Sequence, residues 1–562
     1  MGEEDVMRRL VAVVGALAIA VAAIAGIAGK LSGAESAVAQ QQGLVPAPPR
    51  GPDEGKGPFR KLVIRGGTLI DGTGAKPRGP VDIVVTNQRI TQVKDVDPAE
   101  LGQARAPFDA DHEVDATGQY VLPGFIDLHV HAGEPPKNPE AEYPYKLWLA
   151  HGVTSVRGVP LSDFAFTASE KQRSARNEIV APRIFDYPRP AQGWDRGPVV
   201  NDPELARAWI RWAAEHGADG FKLRDPECGN PAVTAALLDE AHKLRLGSTA
   251  HLAQSCVENM NAITAARLGL GTVTHFYGHL ESLLRPGVKL FPPDYDYSNE
   301  QMRFSQVADW VNKIHRVRGP EWWAYLREQR KLGTVFDPTF NIYVASRDVM
   351  RMRTAEWHQT YTLPSLMAFF EPSTSAHGSY YWDWGTEIET GWKRFYDVWF
   401  KLVKDYHDIG GRITTGSDSG FIYQTYGFAY IMELEMLREA GLSPLEVIRS
   451  ATSNGAKTLY EPKGIDDPPI GTVKEGKLAD MVIVPENPLA NLKTLYGTGH
   501  VRLNQQTNKV ERVGGVRWTI KDGIVYDAKQ LLADVAAMVQ EQKDGGAQVA
   551  KAAARRSIED TP

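Results

Sequence analysis

Short apolar runs broken by turn residues begin at Lys61: Lys-Leu-Val-Ile-Arg, then Gly-Gly-Thr-Leu-Ile-Asp-Gly, then Val-Asp-Ile-Val-Val. Runs of this length with Gly and Asp between them predict antiparallel β-structure as far as Tyr120. The pattern returns late, at Ala479-Asp-Met-Val-Ile-Val-Pro and Val516-Arg-Trp-Thr-Ile-Lys-Asp-Gly-Ile-Val-Tyr-Asp. Two strand-rich flanks around a long middle predict one small β-sandwich domain, residues 60–120 plus 466–532.

The middle, residues 121–465, alternates strand and helix. One strand ends at His131. Others are Gly152-Val-Thr-Ser-Val-Arg, Pro182-Arg-Ile-Phe-Asp, Ala218-Asp-Gly-Phe-Lys-Leu, Gly247-Ser-Thr-Ala-His-Leu, Gly271-Thr-Val-Thr-His-Phe, Gly333-Thr-Val-Phe-Asp-Pro and Arg412-Ile-Thr-Thr-Gly-Ser-Asp. Apolar residues at three-to-four spacing predict helices between several of them, such as 232–244 and 257–268. Eight strands are the number a (β/α)8 TIM barrel requires, so the fold class is α/β. A doubly wound open sheet shares this alternation, but no Gly-rich phosphate loop follows the first strand. About residues 283–400 the rhythm breaks, and eight of the thirteen tryptophans fall there. Such an insertion either packs its own core or forms a lid over the barrel mouth.

The first 59 residues are of another kind. Residues 10–29 (LVAVVGALAIAVAAIAGIAG) are uncharged, follow Arg8-Arg9 and precede Lys30. Ala37-Val38-Ala39 before Gln40 fits a small-x-small cleavage site, so 1–39 reads as a signal peptide and the protein as exported, periplasmic or extracellular. The alternative is membrane attachment through 10–29, since about 20 apolar residues span a bilayer. A Pro/Gly-rich linker, 40–59, leads into the folded body, and 533–562 form a C-terminal tail.

Composition adds exclusions. Hydrophobic residues make up 43% and charged residues 23% of 562, ordinary for a globular chain. A net charge of -6 offers no basic footprint, which argues against nucleic acid as a partner. Cys228 and Cys256 either form one bridge or stay free.

Candidate chemistry lies at the strand ends. His129 and His131 stand two apart on a strand, so both imidazoles project to one face, and imidazole suits zinc and other transition metals. Lys222, His251, His275 and Asp418 each close a later strand, at the barrel face where such folds keep their chemistry.

With V-L-P-G-F-I-D-L-H-V-H, G-V-T-S-V-R, G-A-D-G-F-K, T-A-H, T-H, T-G-S-D, A-T-S-N-G-A-K and G-K-L-A-D-M-V-I-V, the chain from about 61 to 532 resembles the amidohydrolase superfamily. The resemblance is to its imidazolonepropionase-like and Xaa-Pro-dipeptidase-like group. It implies two divalent metal ions, with zinc expected. His129 and His131 would bind the more buried ion, His251 and His275 the second, and Lys222 would bridge both as a carbamate. Asp418 would be metal ligand and proton shuttle.

Two departures bear on this. Relatives often read V-R-D where this chain has Val156-Arg157-Gly158, which leaves a supporting carboxylate missing. The deaminase branch commonly places a glutamate three residues after the strand-five histidine. Gln254 stands there and cannot act as a general acid. Hydrolysis of an amide in a small molecule or dipeptide by a metal-bridged hydroxide is therefore the implied reaction. A lactone or imidazolone ring is the alternative substrate, and a catalytically silent binding protein the alternative class. Tyr277 and Arg224 are expected to touch substrate. A homo-oligomer is expected.

Overall fold

The computed structural model describes residues 43–101, 107–257, 259–296, 299–372 and 384–559, with side chains as far as residue 546. The expected signal or anchor segment and Trp382 lie outside the described residues. The amino-terminal flank supplies β1 (Lys61–Leu69), β2 (Arg78–Thr86), β3 (Arg89–Asp95), β4 (His112–Asp115) and β5 (Tyr120–Pro123). The middle supplies β6 (Phe125–Val130), β7 (Val153–Gly158), β8 (Arg183–Asp186), β9 (Gly220–Leu223), β10 (Gly247–Ala250), β11 (Thr272–Thr274), β12 (Val335–Asp337) and β13 (Arg412–Ile413). The carboxyl flank adds β14 (Met481–Val484), β15 (His500–Asn504), β16 (Lys509–Val513), β17 (Trp518–Lys521) and β18 (Ile524–Asp527).

Strands from both flanks pair into one eight-stranded sheet, in the order β18-β17-β14-β5-β1-β2-β3 with β4 beside β1. The flanks meet where β5 runs antiparallel to β14, Val121 opposite Ile483. Ile90 from one end of the sheet and Val525 from the other share a single apolar core with Ile64, Val85 and Val121. A flat sheet would hold those ends far apart, so this one curls over its core. The remaining two strands, β15 and β16, form a separate hairpin.

The eight middle strands are all parallel and fall into a three-stranded sheet, β6-β7-β8, and a five-stranded one, β9 to β13. Backbone hydrogen bonds cross both seams between them. On one side Leu128 N donates to Thr415 O at 2.9 Å and Asp418 N to His129 O at 2.8 Å. On the other, Asp219 N donates to Asp186 O at 2.8 Å and Lys222 N to Pro188 O at 2.9 Å. Every residue of β6, β7 and β9 is buried, as expected for parallel strands covered on both faces.

The helix expected over 232–244 is found at Pro231–Lys243, capped by Asn230. The one expected over 257–268 is shorter, Ala262–Arg267. Cys256 is held in a disulfide with Cys228, and Asn261 caps the helix by accepting from Thr264 N, so the helix begins only at Ala262. The aromatic insertion packs largely as core: Trp310, Trp322, Trp392 and Trp399 are fully buried, and Phe276 packs edge-on against Phe395 and Trp399. At the opposite end of the strands, Arg183 pairs with Asp480 and Asp522 and ties the parallel sheets to the eight-stranded one. A final helix runs over Ala528–Glu559. Among the described residues no helix is long and apolar enough to cross a membrane.

Candidate metal centre

β6 ends where its motif changes from apolar to ligand-bearing. His129 lies on the strand and His131 one residue beyond it. Their rings are 5.7 Å apart, both turned toward Asp418. His129 Nε2 is 3.7 Å and His131 Nε2 3.5 Å from Asp418 Oδ1. Potential ligand atoms of these three residues lie within 4.8 Å of one another. His275 Nε2 approaches the other carboxylate oxygen of Asp418 at 3.6 Å. Lys222 Nζ is 3.2 Å from His129 Nε2, and the His251 ring lies 4.7 Å from that of His275. All six expected residues therefore converge on one site.

Local backbone geometry makes the convergence possible. His275 (φ 64°) and Asp418 (φ 46°) both occupy the left-handed region, which is costly for residues with a Cβ and recurs at functional sites. Gly416, in the T-G-S-D motif, has to be glycine. A Cβ there would lie 2.7 Å from His129 Cβ and 2.9 Å from Asp337 Oδ2. Asp127, in the same strand motif as the histidines, accepts from His129 N at 3.2 Å and Ser417 N at 2.9 Å, pinning β6 to the segment that bears Asp418.

The electrostatics suit cations. Burial pulls the pKa of His129, His131 and His251 well below that of free imidazole, so their rings are neutral, the form that ligates metal. His131 Nδ1 lies 2.7 Å from Pro160 O. A carbonyl only accepts, so the proton sits on Nδ1 and the Nε2 lone pair faces the site. Burial also pulls the Lys222 amine well below the usual lysine range. A neutral amine is the form that adds carbon dioxide. The donor set of neutral imidazoles, one carboxylate and one convertible lysine fits divalent transition metals.

Beneath the site lies Arg157, the arginine of the V-R-G motif. Its Nε donates to Leu128 O at 2.7 Å, and its Nη2 pairs with Asp337 Oδ2 at 3.3 Å, both side chains fully buried. Gly158 itself has no room for a side chain, since a Cβ would lie 2.5 Å from Leu161 Cβ.

The ligands open into a cleft of about 400 Å³, lined also by Arg189, Arg224, Tyr277, Arg303, Tyr343 and Phe421. Tyr277 stacks on His251 at 4.5 Å, and its hydroxyl meets Arg303 Nη2 at 3.2 Å and the Tyr343 hydroxyl at 3.1 Å. Gln254 accepts from Arg303 Nε at 2.8 Å. The residue that departs from the deaminase pattern thus anchors a cleft arginine. Arg224, more than a third exposed, is held by Asp225 at 2.9 Å. Arg189 and Arg303 carried no strand-end or spacing signal in the sequence, because the loops that deliver them follow tertiary contacts. Arg189 Nε is buried with no hydrogen-bond partner among the described residues, and burial together with Arg224 pushes its pKa down to about 10.

The sequence profile of the amidohydrolase family matches residues 120–525. An N-acyl-D-glutamate deacylase of Alcaligenes xylosoxydans xylosoxydans is 41% identical over 70 residues, 12% of this chain and 12% of its own. A dihydroorotase of Bacillus subtilis (strain 168) is 30% identical over 202 residues, 35% of this chain and 42% of its own. The chain thus aligns with less than half the length of either relative. Among solved structures, a Xaa-Pro dipeptidase with methionine bound in its active site superposes with a TM-score of 0.54 at 19% identity, over 83% of this chain and 100% of that one. Bottromycin amidohydrolase gives 0.60 at 19% identity, over 85% and 91%. These last likenesses are likenesses of fold.

Proposed function

This chain belongs to the amidohydrolase family, and from that premise we propose that it hydrolyses the amide bond of a small N-acyl compound or dipeptide at a binuclear metal site. The observation that carries the reading is the meeting of His129, His131 and Asp418 within 4.8 Å, with Lys222 Nζ 3.2 Å from His129. In this reading His129 and His131 would hold one cation and His251 and His275 the other, with Asp418 as a further ligand and Lys222, once carbamylated, available to both. Zinc is the metal we assign. Two such cations supply a Lewis acid for the scissile carbonyl and an acidified water.

The chain's own residues do the rest. The Asp418 carboxylate takes the proton from the attacking water and delivers it to the departing amine, base first and acid second. Its closeness to three imidazoles supports that role. Gln254, whose amide is no acid, argues against deamination. Arg189, a guanidinium without a hydrogen-bond acceptor for its Nε, supports a substrate that brings its own carboxylate into the cleft.

We further read the two parallel sheets as halves of one (β/α)8 barrel, on the strength of the hydrogen bonds across both seams. The curled eight-stranded sheet is read as the sandwich domain, from the core shared by its two ends. The disulfide supports an oxidising compartment outside the cytoplasm.

Lys222→Ala is expected to lose most activity and to bind less than the full metal complement, with short carboxylic acids partly restoring turnover. Asp418→Asn is expected to keep substantial metal while losing proton transfer, about 10²–10⁴-fold in rate. Metal analysis beside assays on N-acyl amino acids and dipeptides checks both. Wild-type activity with two metals in Lys222→Ala would overturn the bridged site.

A further inference from the structure

β12 supplies none of the six ligands, yet the segment that leaves it touches one of them and the carbonyl just before another. His275 N donates to Asp337 O at 3.0 Å. Two residues on, Thr339 Oγ1 lies 2.5 Å from His275 Nδ1 and donates its own proton to Pro338 O at 2.6 Å. A hydroxyl has one proton, so toward His275 the oxygen can only accept. The His275 proton is therefore on Nδ1, and Nε2 carries the lone pair that points at Asp418. Thr339 itself is held in the left-handed region, φ 49°, a backbone conformation that a β-branched residue seldom adopts without constraint.

Two residues further, Asn341 Nδ2 donates to Ser417 O at 2.6 Å, the carbonyl immediately before Asp418. Asn341 is anchored in turn, its N donating to the buried Glu433 Oε2 at 2.9 Å from the helix Phe428–Glu439. One short segment thus grips His275 at one end and the Asp418 backbone at the other. Among the six expected ligands, His275 and Asp418 are the two whose backbones occupy the left-handed region.

We propose that Thr339 and Asn341 are positioning residues that clamp His275 and Asp418 in register for metal binding, Thr339 by fixing the imidazole tautomer and Asn341 by holding the turn that bears the carboxylate. The proposal rests on the metal-centre reading above.

Its test reads zinc directly and needs no known substrate. Apo-protein is titrated with Zn²⁺ in competition with a chromophoric chelator, and melting temperature is recorded alongside. Thr339→Val keeps the shape and removes the acceptor. It is expected to weaken zinc about 10- to 100-fold, the usual effect of losing a partner behind a ligating histidine. On any amide the wild type cleaves, kcat falls while KM changes little. Thr339→Ser restores both. Asn341→Ala, at the other end, is expected to shift zinc affinity in the same direction, and it takes over the test if Thr339→Val does not fold. Wild-type zinc affinity in a folded Thr339→Val or Asn341→Ala protein would overturn the clamp, as would a serine variant no better than valine. A wild type that takes up no zinc would overturn the metal reading and the clamp with it. Zinc-binding wild type beside an unaltered variant overturns the clamp alone.

Discussion

Glu281 stands six residues past His275 and is buried, and neither of its carboxylate oxygens meets a donor in hydrogen-bonding geometry among the described residues. Burial pushes its pKa up from 4.5 to about 8, so it stays protonated in the folded protein at neutral pH. Between those values the folded state holds a proton that the unfolded chain has released. The stability this proton represents is complete below pH 4.5 and is lost as pH rises toward 8. Glu281→Gln cannot ionise. It should melt with the wild type at pH 4 and above it at pH 9, and an equal offset at both pH values would count against the assignment. Such a residue is silent in the sequence, where Glu-Ser-Leu-Leu reads as any loop. The ligands are not silent. His129 and Lys222 lie on strands, whose two-residue period aims them, and His131, His251 and His275 each follow a strand directly, whereas Asp418 stands well past β13 and is aimed by its own left-handed turn. Thr339 and Arg189 sit beyond strand ends, where direction depends on backbone turns that no periodicity encodes.

Among the elements, β9 and β10 are neighbours, and the loops that follow them are tied by Cys228–Cys256, with Cα atoms 5.4 Å apart. Two cysteines 28 residues apart say nothing of pairing until those strands are placed side by side. The bridge fixes the loops that carry Arg224 and Gln254 and leaves the strand-borne ligands alone. Cys228→Ser with Cys256→Ser should therefore lower stability by about 2–4 kcal/mol, with zinc stoichiometry unchanged. Thermal melts with and without reductant, beside metal analysis, decide this; a melting temperature indifferent to both changes would dismiss the staple. The eight parallel strands were legible from their apolar runs. The helix at Ala262–Arg267 was less so, because the disulfide and the Asn261 cap, not the apolar spacing, set where it begins.

At the scale of the whole molecule, the disulfide and the residues before the fold point the same way. Ala37-Val38-Ala39 leads to the expectation of a mature chain that starts at Gln40. Sequencing the amino terminus of protein taken from its native compartment checks it, and an intact 1–39 in the membrane fraction would favour the anchor. That both flanks build β-structure was legible in their strand patterns. That β5 is joined to β14, Val121 to Ile483, was not, because pairing between distant strands leaves no local trace. This join has a consequence for how the molecule is made. When β1 to β5 have left the ribosome, the strand that should cover β5 has yet to be synthesised, and the entire parallel region comes first. The early half of the sheet must wait with an open edge, prone to pair with the wrong strand. Closure of the sheet over a contact this distant in sequence should be the slow, final event of folding, and the period of greatest exposure to aggregation.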